Sequence, residues 1–409
     1  MKKIVNTVHE LETPCFIVDE ERLAHNYFSF NNAFRNTWGR NFQIGYSFKT
    51  NSFSWILLWM KENGAYAEVV SETESLLAER MGFPYDKMII NGPYKGFSAM
   101  KKILNAGGII NLDSFHEIKW LEENKPNGGC CWKVGLRINF DLEYYCPNET
   151  IVGSNFSRFG FNLENGSFQD AVDRLKKLPY IKIVGLHNHN STKTKSLSVF
   201  KIAAQKIIEA SASLNNTDIE YIDMGGALWG DKQNAPTFQD YADCIVYELK
   251  KNFNPETTML FLEPGASLIA SPISYLCKVI DVKNVNTVKF IATNGSLIHI
   301  APQMHGITFN PHIVSVFPDS KMVCDKQVVV GFTCIENDRM SILENCNALQ
   351  IDDLLVFNNV GSYSMALSPL FIQYFPNVYI KNRDNKLVLA REAWTINEYL
   401  QKGCFEWQN

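Results

Sequence analysis

From residue 40 onward, short apolar runs recur along the chain, separated by longer stretches whose apolar positions fall three and four apart. The runs are FQIGYSF (42–48), YAEVV (66–70), KMIIN (87–91), GIINL (108–112), KVGLRIN (133–139), IKIVGLH (181–187), IEYIDM (219–224) and MLFLEP (259–264). Their length and apolar content predict strands buried on both faces, as in a parallel sheet. Intervening stretches such as SETESLLAERMG and SVFKIAAQKIIEASASL predict helices. In the first of these, Leu76, Leu77 and Met81 share one helical face, and Ser71 stands three residues before Glu74, the spacing of a capping box. Strand–helix repeats spread over about 225 residues predict an α/β fold, a closed (β/α)8 barrel across residues 33–270. An open doubly wound sheet is the alternative. Past residue 270 the helical patterns thin out, and strand-like runs such as KFIATN, VVVGF and DLLVFNNV are divided by turn residues. These predict a second domain, a β-barrel or β-sandwich of residues 1–32 and 271–409, completed by the early strand CFIVD (15–19).

Composition narrows the function classes. A chain of 409 residues suits two domains, and 46% hydrophobic with 20% charged residues suits a globular enzyme rather than a disordered chain. The net charge of −4 gives no electrostatic case for nucleic acid or an anionic membrane surface. The longest apolar run, FSWILLWM, is far too short to span a bilayer, and no apolar stretch follows Met1-Lys2-Lys3, so no signal peptide is expected. Ten cysteines are scattered, apart from adjacent Cys130 and Cys131, and include no CxxC pair. That usage suits reduced thiols in the cytoplasm better than a disulfide framework or a zinc site. HNHN (187–190) pairs two imidazoles, but no third ligand stands at metal-binding spacing nearby, and no metal is expected.

In a closed barrel of this kind, the carboxyl ends of the strands carry the active site. Lys49 follows the first strand, Glu68 lies on the second and Arg137 on the fifth. His187 and His189 close the sixth, Gly225 and Gly226 follow the seventh, and Glu263 ends the eighth. Taken singly, the lysine reads as a solvated loop charge, the glycine pair as a tight turn and His189 as a loop histidine. Taken together they suit one cofactor. DMGGALWG offers bare backbone N–H groups to a phosphate, and a lysine opposite a phosphate suits pyridoxal phosphate, whose aldehyde bonds an amine. Glu263 then suits the pyridine nitrogen, and His189 the face of the ring.

From about Thr13 to Tyr379 the chain also resembles the fold-III pyridoxal-phosphate decarboxylases, the family of ornithine, diaminopimelate and arginine decarboxylases. TPCFIVDEERL, YSFKTN, EVVSETE, NLDS, GLRIN, SRFGF, GLHNHNST, DMGGALWG, LEPG, CIEND and VGSYSMA resemble that family's motifs in the family's order. The resemblance implies a pyridoxal-phosphate-dependent carboxy-lyase of amino-acid metabolism, a homodimer with shared active sites. It implies that Lys49 is the Schiff-base lysine and that His189 stacks on the ring. Thr192, Gly225, Gly226, Ala227 and Tyr363 would hold the phosphate, and Glu263 would meet the pyridine nitrogen. Glu68 and Arg137 would belong to its surrounding network, and Cys334 would be the thiol over the reacting carbon. There are also departures. The arginine of the family's EPGR is Ala266, the substrate-gripping RPxLY corresponds to Ala301, Pro302 and His305, and the acid after the motif cysteine is Ile335. Loss of these charges removes the partners for the far end of diaminopimelate, and an unpaired buried charge is costly. EPGAS and HIAP are instead similar to the carboxynorspermidine decarboxylases. The expected substrate is a basic amino acid or a carboxylated polyamine. Diaminopimelate itself, a racemase activity and a non-catalytic cofactor-binding regulator are the alternatives. Glu263 speaks against the racemase, where arginine takes that place, and Lys49 against the inactive relative.

Overall fold

The structure is a computed structural model that describes residues 4, 5, 7–214, 219–230, 232–303, 309–316 and 323–403; His305 lies outside them. The chain forms two compact units, one of Asn26–Leu268 and one of Met1–His25 with Ile269–Asn409.

The first unit is a closed barrel of parallel strands. Its eight staves are Phe42–Ser47, Tyr66–Val69, Met88–Ile90, Ile109–Leu112, Trp132–Asn139, Ile181–Asn188, Tyr221–Met224 and Met259–Leu262. All eight apolar runs of the sequence became strands, because parallel strands covered by helices must be apolar on both faces. Each strand pairs with its neighbours in chain order, and Leu260 of the eighth aligns with Phe42 of the first. That pairing closes the ring and excludes the open sheet. Helices follow the strands, for example Ser54–Glu62, Phe115–Glu123 and Phe238–Leu249.

Tyr221 plugs the interior and donates to Asn111 Oδ1 at 2.9 Å. A Cβ at Gly135 or Gly185 would overlap the tyrosine ring or hydroxyl, so these strand glycines make room for it. Gly185→Ala is expected to destabilise the protein by about 1–3 kcal/mol through overpacking. An unchanged thermal midpoint would mean that Tyr221 moves aside freely.

One helix departs from its sequence pattern. In Glu72–Arg80 the cap is as expected, with Ser71 Oγ accepting from Glu74 N at 3.1 Å. Its buried residues, however, are Ser75 and Ala78, while Leu76 is 49% exposed. Small side chains let this helix lie close against the barrel, leaving Leu77 and Met81 half-buried and Leu76 exposed.

The second unit is built on a ten-stranded mixed sheet among the described residues. Its long strand Ile273–Val285 pairs antiparallel with Cys15–Asp19, and the latter runs parallel to Asn377–Lys381. The early strand therefore belongs to the C-terminal sheet. Cys15, Leu276, Leu354, Tyr379 and Leu387 form a core there. The described cysteines are free thiols, and burial pushes Cys277 up to about 12. Among the described residues no helix is long and apolar enough to cross a membrane.

Candidate active site

The carboxyl ends of the barrel strands converge on a buried polar network. Lys49 sits in a short 3-10 turn, Phe48–Thr50, directly after the first strand. Its Nζ lies 2.7 Å from Glu68 Oε2, an oxygen that also accepts from Ser47 Oγ at 2.7 Å. The lysine has no acid near it in sequence, and parallel pairing of the first two strands supplies one. Asn91, at the end of the third strand, donates to Glu68 Oε1 at 3.3 Å and to Glu263 Oε1. Asn111 donates to Asn91 Oδ1 at 2.9 Å and to Asp223 Oδ2 at 2.7 Å. Three carboxylates thus share one buried mouth, and the two amides between them provide hydrogen bonds in place of water.

Burial sets the charge states. Asp223 is pushed up to about 7, chiefly by desolvation and further by the charge of Glu68, and its Oδ1 has no hydrogen-bond partner. Burial pushes His187 down to about 3, so its 3.1 Å contact with Asp223 Oδ2 involves a neutral imidazole at physiological pH.

In the same mouth, Glu263 Oε2 lies 3.2 Å from His189 Nδ1. A Cβ at Gly225 would overlap both of those atoms, so a backbone without side chain is required there. Gly226 follows with φ of 109°, a conformation glycine adopts without strain. Gly225 and Gly226 are buried and Ala227 is exposed. Arg137 donates to Asp113 Oδ1 at 2.9 Å and to the His189 carbonyl at 3.1 Å, which fixes the end of the sixth strand. Thr192 is buried and bridges to Thr150. A cavity of about 330 Å³ opens beside His189, lined also by Phe140, Phe156, Arg158 and Asn190.

The fold supplies the third ligand that the neighbourhood of HNHN lacks in sequence. Donor atoms of His187, His189 and Glu263 lie within 4.8 Å of one another.

Cys334 and Tyr363 belong to the sheet unit, and both are exposed. The cysteine lies on a turn held by buried Asp338, which accepts from Thr333 Oγ1 at 2.6 Å, Ser296 Oγ at 2.8 Å and Leu297 N at 2.8 Å. Tyr363 has a positive φ of 55°. Ala301 is buried and Ile335 half-buried, and neither they nor Ala266 bring a charge.

The sequence reading missed Asn91, Asn111, Asp113 and Asp223. Its one available signal was a polar residue at or next to the end of an apolar strand run: Asn91 closes KMIIN, Asp113 follows GIINL, and Asn111 and Asp223 stand one place before the ends of GIINL and IEYIDM. Sequence alone gives such residues no partner.

These residues fit pyridoxal phosphate. An accessible amine, a buried acceptor in Glu263, the unpartnered Asp223 oxygen and the bare Gly225 cradle face one mouth. Comparison with known proteins agrees. Residues 23–270, more than half of the chain, match the family described as pyridoxal-dependent decarboxylase, pyridoxal binding domain. Diaminopimelate decarboxylase of Zymomonas mobilis is 25% identical over 95% of this chain and 92% of its own length. That of Methanocaldococcus jannaschii is 26% identical over 89% of this chain and 85% of its own. Among solved structures, M. jannaschii diaminopimelate decarboxylase shares the fold at a TM-score of 0.85 and 24% identity, covering 97% of this chain and 93% of that one. The arginine decarboxylase of Paramecium bursaria Chlorella virus does so at 0.76 and 20%, covering 91% and 97%. With lysine, carboxylates and glycine turn placed as this chemistry needs, the chain belongs to the pyridoxal-dependent decarboxylases, carboxy-lyases whose cofactor is pyridoxal phosphate.

Proposed function

We propose that this protein decarboxylates an amino acid with a basic or polyamine-like side chain, with the cofactor bonded to Lys49. The observation that carries the reading is that the pairs Lys49–Glu68 and Glu263–His189 meet in one mouth, joined by Asn91. When bound, pyridoxal phosphate supplies an electron sink for the bond between Cα and its carboxylate. Lys49 provides the amine that holds the aldehyde and that the substrate amine replaces. Glu263 keeps a proton on the pyridine nitrogen, and His189 supports the ring face. Thr192, Gly225, Gly226, Ala227 and Tyr363 hold the phosphate, while Glu68 and Arg137 keep Lys49 and His189 in place. Cys334, or a water it orients, returns a proton to Cα.

Ala266, Ala301 and Ile335 support a substrate whose far end carries no carboxylate in need of pairing. Diaminopimelate is the second reading, favoured by the names of the relatives at 24–26% identity. A carbon-dioxide release screen of holoenzyme against diaminopimelate, lysine, ornithine, arginine and carboxylated polyamines separates the two. Release only from diaminopimelate overturns the first reading. Free cysteines support a reducing, cytoplasmic setting.

The working unit in this reading is a homodimer whose Cys334 completes the partner's barrel mouth, excluding water from the reacting carbon. Inactive Lys49→Ala and Cys334→Ala chains, mixed under subunit exchange, are expected to regain activity toward about a quarter of wild type at random assortment. No recovery despite demonstrated exchange would overturn the shared site.

A further inference from the structure

The two loops assigned to the phosphate each continue into a lysine. Lys195 lies three residues beyond Thr192, and Lys232 five beyond Ala227. Both ammonium groups converge on one indole, with Lys195 Nζ 4.0 Å and Lys232 Nζ 3.7 Å from the Trp229 ring centroid. Neither has a carboxylate partner among the described residues; Asp231, between Trp229 and Lys232, lies outside them. Burial, and then the charge of Lys232, push the Lys195 ammonium down. Two like charges held together without an acid are electrostatically unfavourable, and an anion relieves both.

The arrangement is fixed by buried groups. The Tyr241 hydroxyl, fully buried, accepts from Trp229 N at 3.2 Å and donates to the Lys195 carbonyl at 2.6 Å. Trp229 Nε1 donates to the Thr194 carbonyl at 2.8 Å. One tyrosine thus ties the loop after the sixth strand to the loop after the seventh and holds the Lys195 backbone beside Trp229, while Lys232 N donates to the Gly230 carbonyl at 3.0 Å.

We propose that Lys195, Trp229 and Lys232 form a second anion site for a phosphomonoester dianion, which captures the phosphate of incoming cofactor before it reaches the glycine turn. This rests on the reading that Thr192 and Gly225–Ala227 hold the phosphate. A phosphate ester carries close to two negative charges at neutral pH, matching two ammonium groups. Lysine suits capture and release, since its ammonium acts as a point charge without the fixed fork of arginine.

The test uses full-length protein and the double variant Lys195→Met, Lys232→Met, which keeps the aliphatic packing on Trp229. Far-UV circular dichroism serves as the fold control, with the two single variants as a second set if the double variant misfolds. Holoenzyme, whose glycine turn is filled, is titrated with inorganic phosphate. Wild type is expected to bind one further phosphate saturably, and the double variant to lose it. Stopped-flow association of pyridoxal phosphate with apoprotein is expected to slow by about 10-fold or more in the variant, with a flatter salt dependence. Unchanged phosphate binding and unchanged association overturn the site. Lost phosphate binding with unchanged association keeps the anion site for free phosphate and overturns its role in capture. A chain that takes up no pyridoxal phosphate overturns the cofactor reading instead, and the phosphate titration still decides the lysine pair.

Discussion

Lys49→Ala is expected to reduce turnover by about 10⁴-fold or more, at saturating cofactor and with the fold intact. The side chain loses two tasks at once, holding the aldehyde and carrying protons on its amine, and positioned proton transfer alone is worth about 10²–10⁴-fold. A complication is that Lys49 also pairs with Glu68, which is fully buried. Removing the partner of a buried charge destabilises a protein in its own right. Lys49→Arg separates the two effects. It keeps a cation near Glu68 but has no amine that can bond an aldehyde, so it too should be inactive while its thermal midpoint stays nearer wild type. Borohydride reduction of wild-type holoenzyme, followed by peptide mapping, should place the cofactor on Lys49. A label on another lysine, or an active Lys49→Arg protein, would show that the site is centred elsewhere.

Glu263→Gln is expected to leave cofactor bound and to lower turnover by roughly 10²–10³-fold, the scale of removing one electrostatic group aimed at developing charge. The amide is the same size; its one oxygen can still accept from Asn91 Nδ2, and its NH2 then donates to His189 Nδ1 as the unprotonated ring nitrogen. What it lacks is the negative charge that keeps a proton on the pyridine nitrogen. The control is Asp223→Asn. Asp223 is another buried acid of the mouth, its Oδ1 has no hydrogen-bond partner, and burial raises it to about 7, so near neutrality it carries only part of a negative charge. Asp223→Asn should therefore cost much less than Glu263→Gln. If Asp223→Asn is the variant that loses turnover, the pyridine nitrogen meets Asp223 rather than Glu263.

The barrel was legible in the sequence because its strands are buried on both faces and so read as continuous apolar runs. The strand-end lysine, imidazoles and glycine pair were legible for a related reason, since polar residues and bare turns interrupt those runs. The sheet unit's use of Cys15–Asp19 was legible only as a leftover strand in need of partners, which Ile273–Val285 and Asn377–Lys381 supply. The Glu72–Arg80 helix was legible in its cap and its periodicity, but not in which residues are most buried. Helical spacing gives a face but does not say that Ser75 and Ala78, rather than Leu76, meet the barrel.

By itself the sequence determined the strands, the alternation of strand and helix, and most of the residues at the mouth; closure of the ring came from the pairing of the eighth strand with the first. Tertiary structure alone decided the pairings. Glu68 became the partner of Lys49, Asn91 joined Glu68 to Glu263, and Asn111 reached Asp223. It also brought Glu263 to His187 and His189, which local spacing had left without a third acid or ligand. The physical reason is parallel register around a closed ring. Residues 19 to more than 100 positions apart are brought within hydrogen-bond reach at equivalent strand ends, and no local pattern encodes which of those ends will face each other.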